Sequence, residues 1–121
     1  MRILIVDDSK AMRSIVRRTI AQVGFVDHSF EEASNGNEAL ELIRRSPPGL
    51  AIVDWNMPNM SGIELLRALR QEGCAVKFGF VTSEGTPEMK EQAAAAGASF
   101  FLCKPFTNEM LREVLSPLLA A

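Results

Sequence analysis

Arg2-Ile3-Leu4-Ile5-Val6-Asp7-Asp8-Ser9 stands at the start of the chain: four apolar residues in a row, stopped by two acids. Two later stretches repeat the pattern. Leu50-Ala51-Ile52-Val53 stops on Asp54, and Phe100-Phe101-Leu102-Cys103 stops on Lys104. Short apolar runs without polar alternation suit strands buried on both faces, as in a parallel sheet. In such a sheet ligands gather outside the carboxyl ends of the strands. Three acids and one lysine are therefore aimed at one spot. That spot has the charge and the oxygen ligands for a hard cation such as Mg²⁺, with a carboxylate left over for chemistry.

Outward from these runs, strands and helices alternate five times. The expected strands are Arg2–Val6, Phe25–Ala33, Leu50–Val53, Phe78–Val81 and Ser99–Leu102. Ser9 can cap a first helix, in which Met12, Ile15, Val16, Thr19, Ile20 and Val23 recur at helical spacing and Gly24 is the stop signal. Ser34-Asn35-Gly36 reads as a turn before a helix over Glu38–Arg45, and Ser61-Gly62 leads into one over Ile63–Gln71. Thr86 or Ser83 can cap a fourth helix with Pro87 in its first turn. Thr107 can cap a fifth, with Leu111, Val114, Leu115 and Leu118 as its apolar face. Five βα units predict an α/β fold: a five-stranded parallel sheet, doubly wound, with helices on both faces.

The bulk properties narrow the function. With 121 residues, one domain spanning residues 1–121 and no output domain is expected. A net charge of −2 gives no electrostatic reason to expect nucleic acid or a membrane surface as partner. No apolar run approaches the ~20 residues that span a bilayer, and no signal-peptide pattern opens the chain, so a cytoplasmic location is expected. Cys74 and Cys103 have neither metal nor redox spacing and read as reduced structural thiols. His28 is the only histidine, which argues against a histidine metal site or a Ser/His triad. It reads as a surface residue. Trp55 reads as a partner-contact or packing aromatic in a loop. Arg13, Arg17 and Arg18 read as a solvated helix face.

Taken together, Val6-Asp7-Asp8-Ser9, Ala33-Ser34-Asn35-Gly36, Asp54-Trp55-Asn56-Met57-Pro58, Ser61-Gly62, Val81-Thr82 and Lys104-Pro105-Phe106 resemble the receiver domain of bacterial response regulators. They run in family order along essentially the whole chain. The stretch Asp54–Gly62 looks most like the stand-alone chemotaxis regulators of the CheY type. The resemblance implies the strand order 2-1-3-4-5. It also implies that Asp54 accepts a phosphoryl group from a histidine kinase. Asp7, Asp8, Asp54 and the backbone carbonyl of Asn56 would hold Mg²⁺. Thr82 and Lys104 would contact the phosphoryl group, and Phe101 would take the aromatic switch position. A cis Lys104-Pro105 bond and a monomer acting on a protein target, with the flagellar motor switch as one candidate, belong to the same expectation.

The chemistry agrees with these roles. Clustered carboxylates repel one another, and one tends to keep a proton unless a cation compensates. Phosphoryl transfer needs positioning and neutralised charge more than a general base. Asp7-Asp8 alone would read as acids in a first helical turn; with Asp54, Thr82 and Lys104 that reading loses its force. An aspartyl-phosphate hydrolase would carry two acids two residues apart at the first strand end and a cap domain. A flavin or nucleotide binder would need a Gly- or Ser/Thr-rich loop where Asp7-Asp8-Ser9-Lys10 stands. Within signalling, a phosphorelay intermediate or kinase modulator outside chemotaxis is the alternative. It draws support from Phe101, which stands where motor-binding regulators commonly carry Tyr, a residue this chain lacks.

Overall fold

In the computed structural model, which describes residues 1–119, five strands form one parallel sheet. They are β1 (Arg2–Val6), β2 (Ser29–Ala33), β3 (Leu50–Val53), β4 (Phe78–Thr82) and β5 (Phe100–Cys103), in the order β2-β1-β3-β4-β5. The helices are α1 (Lys10–Gln22), α2 (Gly36–Arg45), α3 (Gly62–Gln71), α4 (Pro87–Ala95) and α5 (Asn108–Leu119).

Side-chain alternation along each strand divides the core in two. Leu4, Val6, Ala51, Val53, Phe78 and Phe80 face a cluster with residues of α2, α3 and α4. Ile3, Ile5, Leu50, Ile52, Val81 and Leu102 face a second cluster with residues of α1 and α5. Both faces are covered, which is why the central strands carry no polar alternation. Each fully buried Ile or Leu stabilises the fold by about 1.5–3 kcal/mol relative to an exposed one. No helix among the described residues is long and apolar enough to cross a membrane.

Helix starts are set by side-chain caps, each worth about 1 kcal/mol. Ser9 Oγ accepts from the Met12 amide at 3.2 Å and Asn35 Oδ1 from the Glu38 amide at 2.8 Å. Asn35 therefore begins α2 two residues before the expected Glu38. Ser61 and Glu64 form a reciprocal capping box that begins α3 at Gly62. Thr86, not Ser83, caps α4 by accepting from Met89 at 3.1 Å, and Thr107 accepts from Met110 at 3.1 Å ahead of α5.

The largest departure from expectation is β2, which begins at Ser29 rather than Phe25. Its pairing starts where β1 starts: the Ser29 amide donates to the Met1 carbonyl at 3.1 Å. Residues 25–28 lie beyond that end and have no strand to join. Gly24 turns the chain at φ +104°, Phe25 packs toward the α1–α5 core, and Val26 is 69% exposed. His28, expected at the surface, is half-buried, with Nδ1 enclosed and unpaired among the described residues. β5 is shifted one residue toward Cys103, where the Lys104 amide donates to the Thr82 carbonyl at 2.7 Å.

Candidate functional site

β1 and β3 are adjacent but their onward connections lead to opposite sides of the sheet, so a crevice opens at their carboxyl ends. Backbone bonds fix its walls: Asp7 N–H donates to the Ala33 carbonyl at 3.1 Å and Asp54 N–H to the Val6 carbonyl at 2.9 Å. Asp7, Asp8 and Asp54 meet there, each offering a carboxylate oxygen within 4.8 Å of the others. Asp7 and Asp54 are buried, and Asp8 is exposed.

Lys104 reaches the crevice from the end of β5. Its Nζ lies 3.2 Å from Asp7 Oδ2 and 3.9 Å from Asp54 Oδ2. The Lys104–Pro105 peptide bond is cis. Asp7 Oδ1 accepts from the Ser9 amide at 2.9 Å. Asp54 Oδ1 is buried and, among the described residues, has no hydrogen-bond partner. A buried carboxylate oxygen without a donor is unfavourable, and an all-oxygen cluster beside it suits a hard cation. The residues present therefore fit Mg²⁺. Burial pushes the Asp54 carboxyl up to about 6; Lys104 pulls against this shift and Asp7 adds to it.

Thr82 ends β4 fully buried, its Oγ1 accepting from the Glu84 amide at 3.3 Å. Asn56 is exposed in the loop after β3. That loop returns tightly to α3. Gly62 N–H donates to the Trp55 carbonyl at 2.8 Å, and a Cβ at Gly62 would sit 2.5 Å from the Asp54 carbonyl oxygen and 2.9 Å from the Phe80 ring. Glycine is required by this close approach.

Of the two roles expected for Trp55, packing is the one the structure shows, and it places the ring in the core. Trp55 is 9% exposed, with its ring centroid 4.9 Å from Phe80 and 6.0 Å, edge-on, from Phe101. Phe101, half-buried, thus touches the residue that follows Asp54. Arg13 departs from its expected place. Its Nη1 donates to the Asp7 carbonyl at 2.6 Å and its Nε pairs with Glu32 at 2.8 Å. Helical periodicity puts Arg13 on the polar face with Arg17 and Arg18, and nothing in that pattern distinguishes it from them.

On the other side of Lys104, Met12 and Ile15 of α1 face Pro105 and Phe106 across an open groove of about 570 Å³. Ile15, one of the apolar residues that recur at helical spacing along α1, is 44% exposed along this groove.

The model of the response regulator receiver domain matches residues 3–116. The chain belongs to that family. Among curated relatives, the chemotaxis protein CheY-3 of Vibrio cholerae is 38% identical over 117 residues, covering 95% of this chain and 88% of that protein. The chemotaxis protein CheY of Pseudomonas aeruginosa is 37% identical over 115 residues, covering 93% and 91%. Among solved structures, the chemotaxis response regulator CheY4 of Vibrio cholerae superposes with a TM-score of 0.83 at 34% identity over 98% of both chains. A DNA-binding response regulator of the LuxR family from Staphylococcus aureus superposes with a TM-score of 0.85 at 26% identity over 97% of both. The receiver is thus a two-component signalling domain. Its fold alone does not select an output, because these two neighbours differ in theirs.

Proposed function

We propose that this receiver is a phosphorylation-dependent switch in which Asp54 accepts a phosphoryl group from a phosphohistidine on a kinase. The observation that carries this reading is the buried Asp54 carboxylate, with one unpaired oxygen, within reach of two further acids and the Lys104 ammonium. An Asp54 oxygen would attack phosphorus; the P–N bond would break, and its electron pair would stay with the departing imidazole. Asp7, Asp8, Asp54 and the Asn56 carbonyl would hold Mg²⁺, which supplies charge neutralisation on the phosphoryl oxygens. Lys104 would exchange its pairing with Asp7 for a phosphoryl oxygen. Thr82 would turn its hydroxyl from the Glu84 amide to another. The apolar groove beside Lys104 gives the phosphodonor protein a surface next to the reacting atoms.

The output would run through Thr82 and Phe101 to the face formed by α4, β5 and α5. Helix α4 buries only Ala93, so its anchorage to the sheet is slight and its position easily biased. Phe101 has no hydroxyl to fix an inward state, so its equilibrium rests on packing against Trp55 and Phe80. The likeness to chemotaxis proteins favours a regulator in chemotaxis, and on this reading the protein acts as a cytoplasmic monomer with the flagellar motor switch as its target. Phe101 favours the second reading, a relay or kinase-modulating role.

Beryllofluoride, a phosphoryl mimic, should raise affinity for purified motor-switch protein by at least about tenfold, a coupling of about 1.4 kcal/mol. Thr82→Ala should still take up phosphate and lose most of that gain. Retention of the full gain in both Thr82→Ala and Phe101→Ala would refute this route. Retention of a phosphotransfer protein instead of the motor protein would select the relay.

A further inference from the structure

Residues 7–9 form a short bridge between β1 and α1, and the two peptide planes that flank Asp8 are each held by one hydrogen bond. The plane between Asp8 and Ser9 is held by the Ser9 amide donating to Asp7 Oδ1 at 2.9 Å. The plane between Asp7 and Asp8 is held by the Asp7 carbonyl accepting from Arg13 Nη1 at 2.6 Å. No strand supplies this second bond. The Asp7 amide makes the last β1–β2 contact, to Ala33, and the chain then turns into the Asn35 cap. Among the described residues, the carbonyl of buried Asp7 accepts no other hydrogen bond outside the regular elements.

Arg13 is itself held. Its side chain is only 13% exposed, its Nε is 2.8 Å from Glu32 Oε1, and its amide donates to the Ser9 carbonyl at 3.1 Å. Arg17 approaches the second Glu32 oxygen at 3.5 Å. The guanidinium fork thus ties α1 to the end of β1 with one nitrogen and to β2 with another, an arrangement that a single-point ammonium cannot copy.

We propose that Arg13 is a positioning residue for the cation site: by locking the Asp7–Asp8 peptide plane, it aims the Asp8 carboxylate into the cluster with Asp7 and Asp54. The inference rests on the Mg²⁺ reading given above. The expected sign is counterintuitive. A positive charge beside three carboxylates should repel a divalent cation, so removing it would tighten Mg²⁺ binding if charge were what mattered. If orientation matters more, removing it weakens binding.

The test is Mg²⁺ affinity by titration calorimetry on the full chain, for the parent, Arg13→Ala, Arg13→Lys and Asp8→Ala, with thermal unfolding of each in the same buffer. Arg13→Ala should bind Mg²⁺ about tenfold more weakly, as when groups that orient metal ligands are removed. Arg13→Lys keeps the charge and most of the stem, and should fall between parent and Arg13→Ala. Unchanged or tighter binding in Arg13→Ala overturns the inference. Should Arg13→Ala fail to fold, Arg13→Lys decides alone: weaker binding supports the proposal, and parental binding overturns it. If Asp8→Ala loses Mg²⁺ while the Arg13 variants do not, only the role of Arg13 falls. If Asp8→Ala binds like the parent, the Mg²⁺ reading falls and Arg13 with it.

Discussion

Asp8→Ala is expected to weaken Mg²⁺ binding on the order of 100-fold, about 2.7 kcal/mol. The three acids are not equivalent. Asp7 has one oxygen on the Ser9 amide and the other on Lys104. Asp54 has one oxygen facing Lys104 and one buried without a donor. Asp8 alone is exposed and, among the described residues, has neither an ion-pair nor a side-chain hydrogen-bond partner. Both its oxygens are available to a cation without breaking anything. Removing it deletes a full ligand charge, whereas Asp7→Ala removes mainly orientation and should cost about tenfold. Calorimetric titration of the two variants checks the order; a smaller loss for Asp8→Ala than for Asp7→Ala would reverse the assignment.

Asp54→Asn should make the metal-free protein more stable at pH 8. Burial raises the Asp54 carboxyl from 3.8 to about 6 in the folded chain. Between these values the folded state keeps a proton that the unfolded state releases. Stability therefore falls as pH rises through that window and stays lower above it. The difference between the two values corresponds to roughly 3 kcal/mol at most, and a gain of about 2 kcal/mol is expected once relaxation is allowed for. For a domain of this size that is a rise in Tm of about 5–10 °C. At pH 4 the difference should nearly vanish. Saturating Mg²⁺ should stabilise the parent more than the variant, narrowing the gap at pH 8. A variant less stable than the parent at pH 8 without metal would show that Asp54 does not carry this strain.

The sheet is legible in the sequence because its central strands are buried on both faces. Unbroken apolar runs as short as Ile3–Val6 and Leu50–Val53 suit few environments besides the middle of a covered sheet. The ends of β1 and β3 are legible too, because an acid follows each at once. β2 reads too long because composition does not show where a neighbouring strand stops, and at this edge the length of β1 sets the pairing. Asn35 reads as a turn residue because Asn serves turns and caps alike; its bond to the Glu38 amide distinguishes them only in three dimensions. At the site, Asp7, Asp8, Asp54 and Lys104 converge as their places at the strand ends lead one to expect. The Arg13 contact and the role that Trp55 takes escape for opposite reasons. Arg13 sits at a polar helical position and folds back onto a backbone carbonyl, a contact that leaves no pattern in sequence. Trp55 follows a strand end, where loops begin, yet the tight return to Gly62 buries it.

The central claim is that Asp54 is the residue that takes the phosphoryl group. Parent protein and Asp54→Ala would each be incubated with Mg²⁺ and phosphoramidate, and intact mass recorded over time. The parent should gain the mass of one phosphoryl group, and the gain should disappear when EDTA replaces Mg²⁺. Asp54→Ala should gain none. An adduct of equal size and rate in Asp54→Ala would contradict the account.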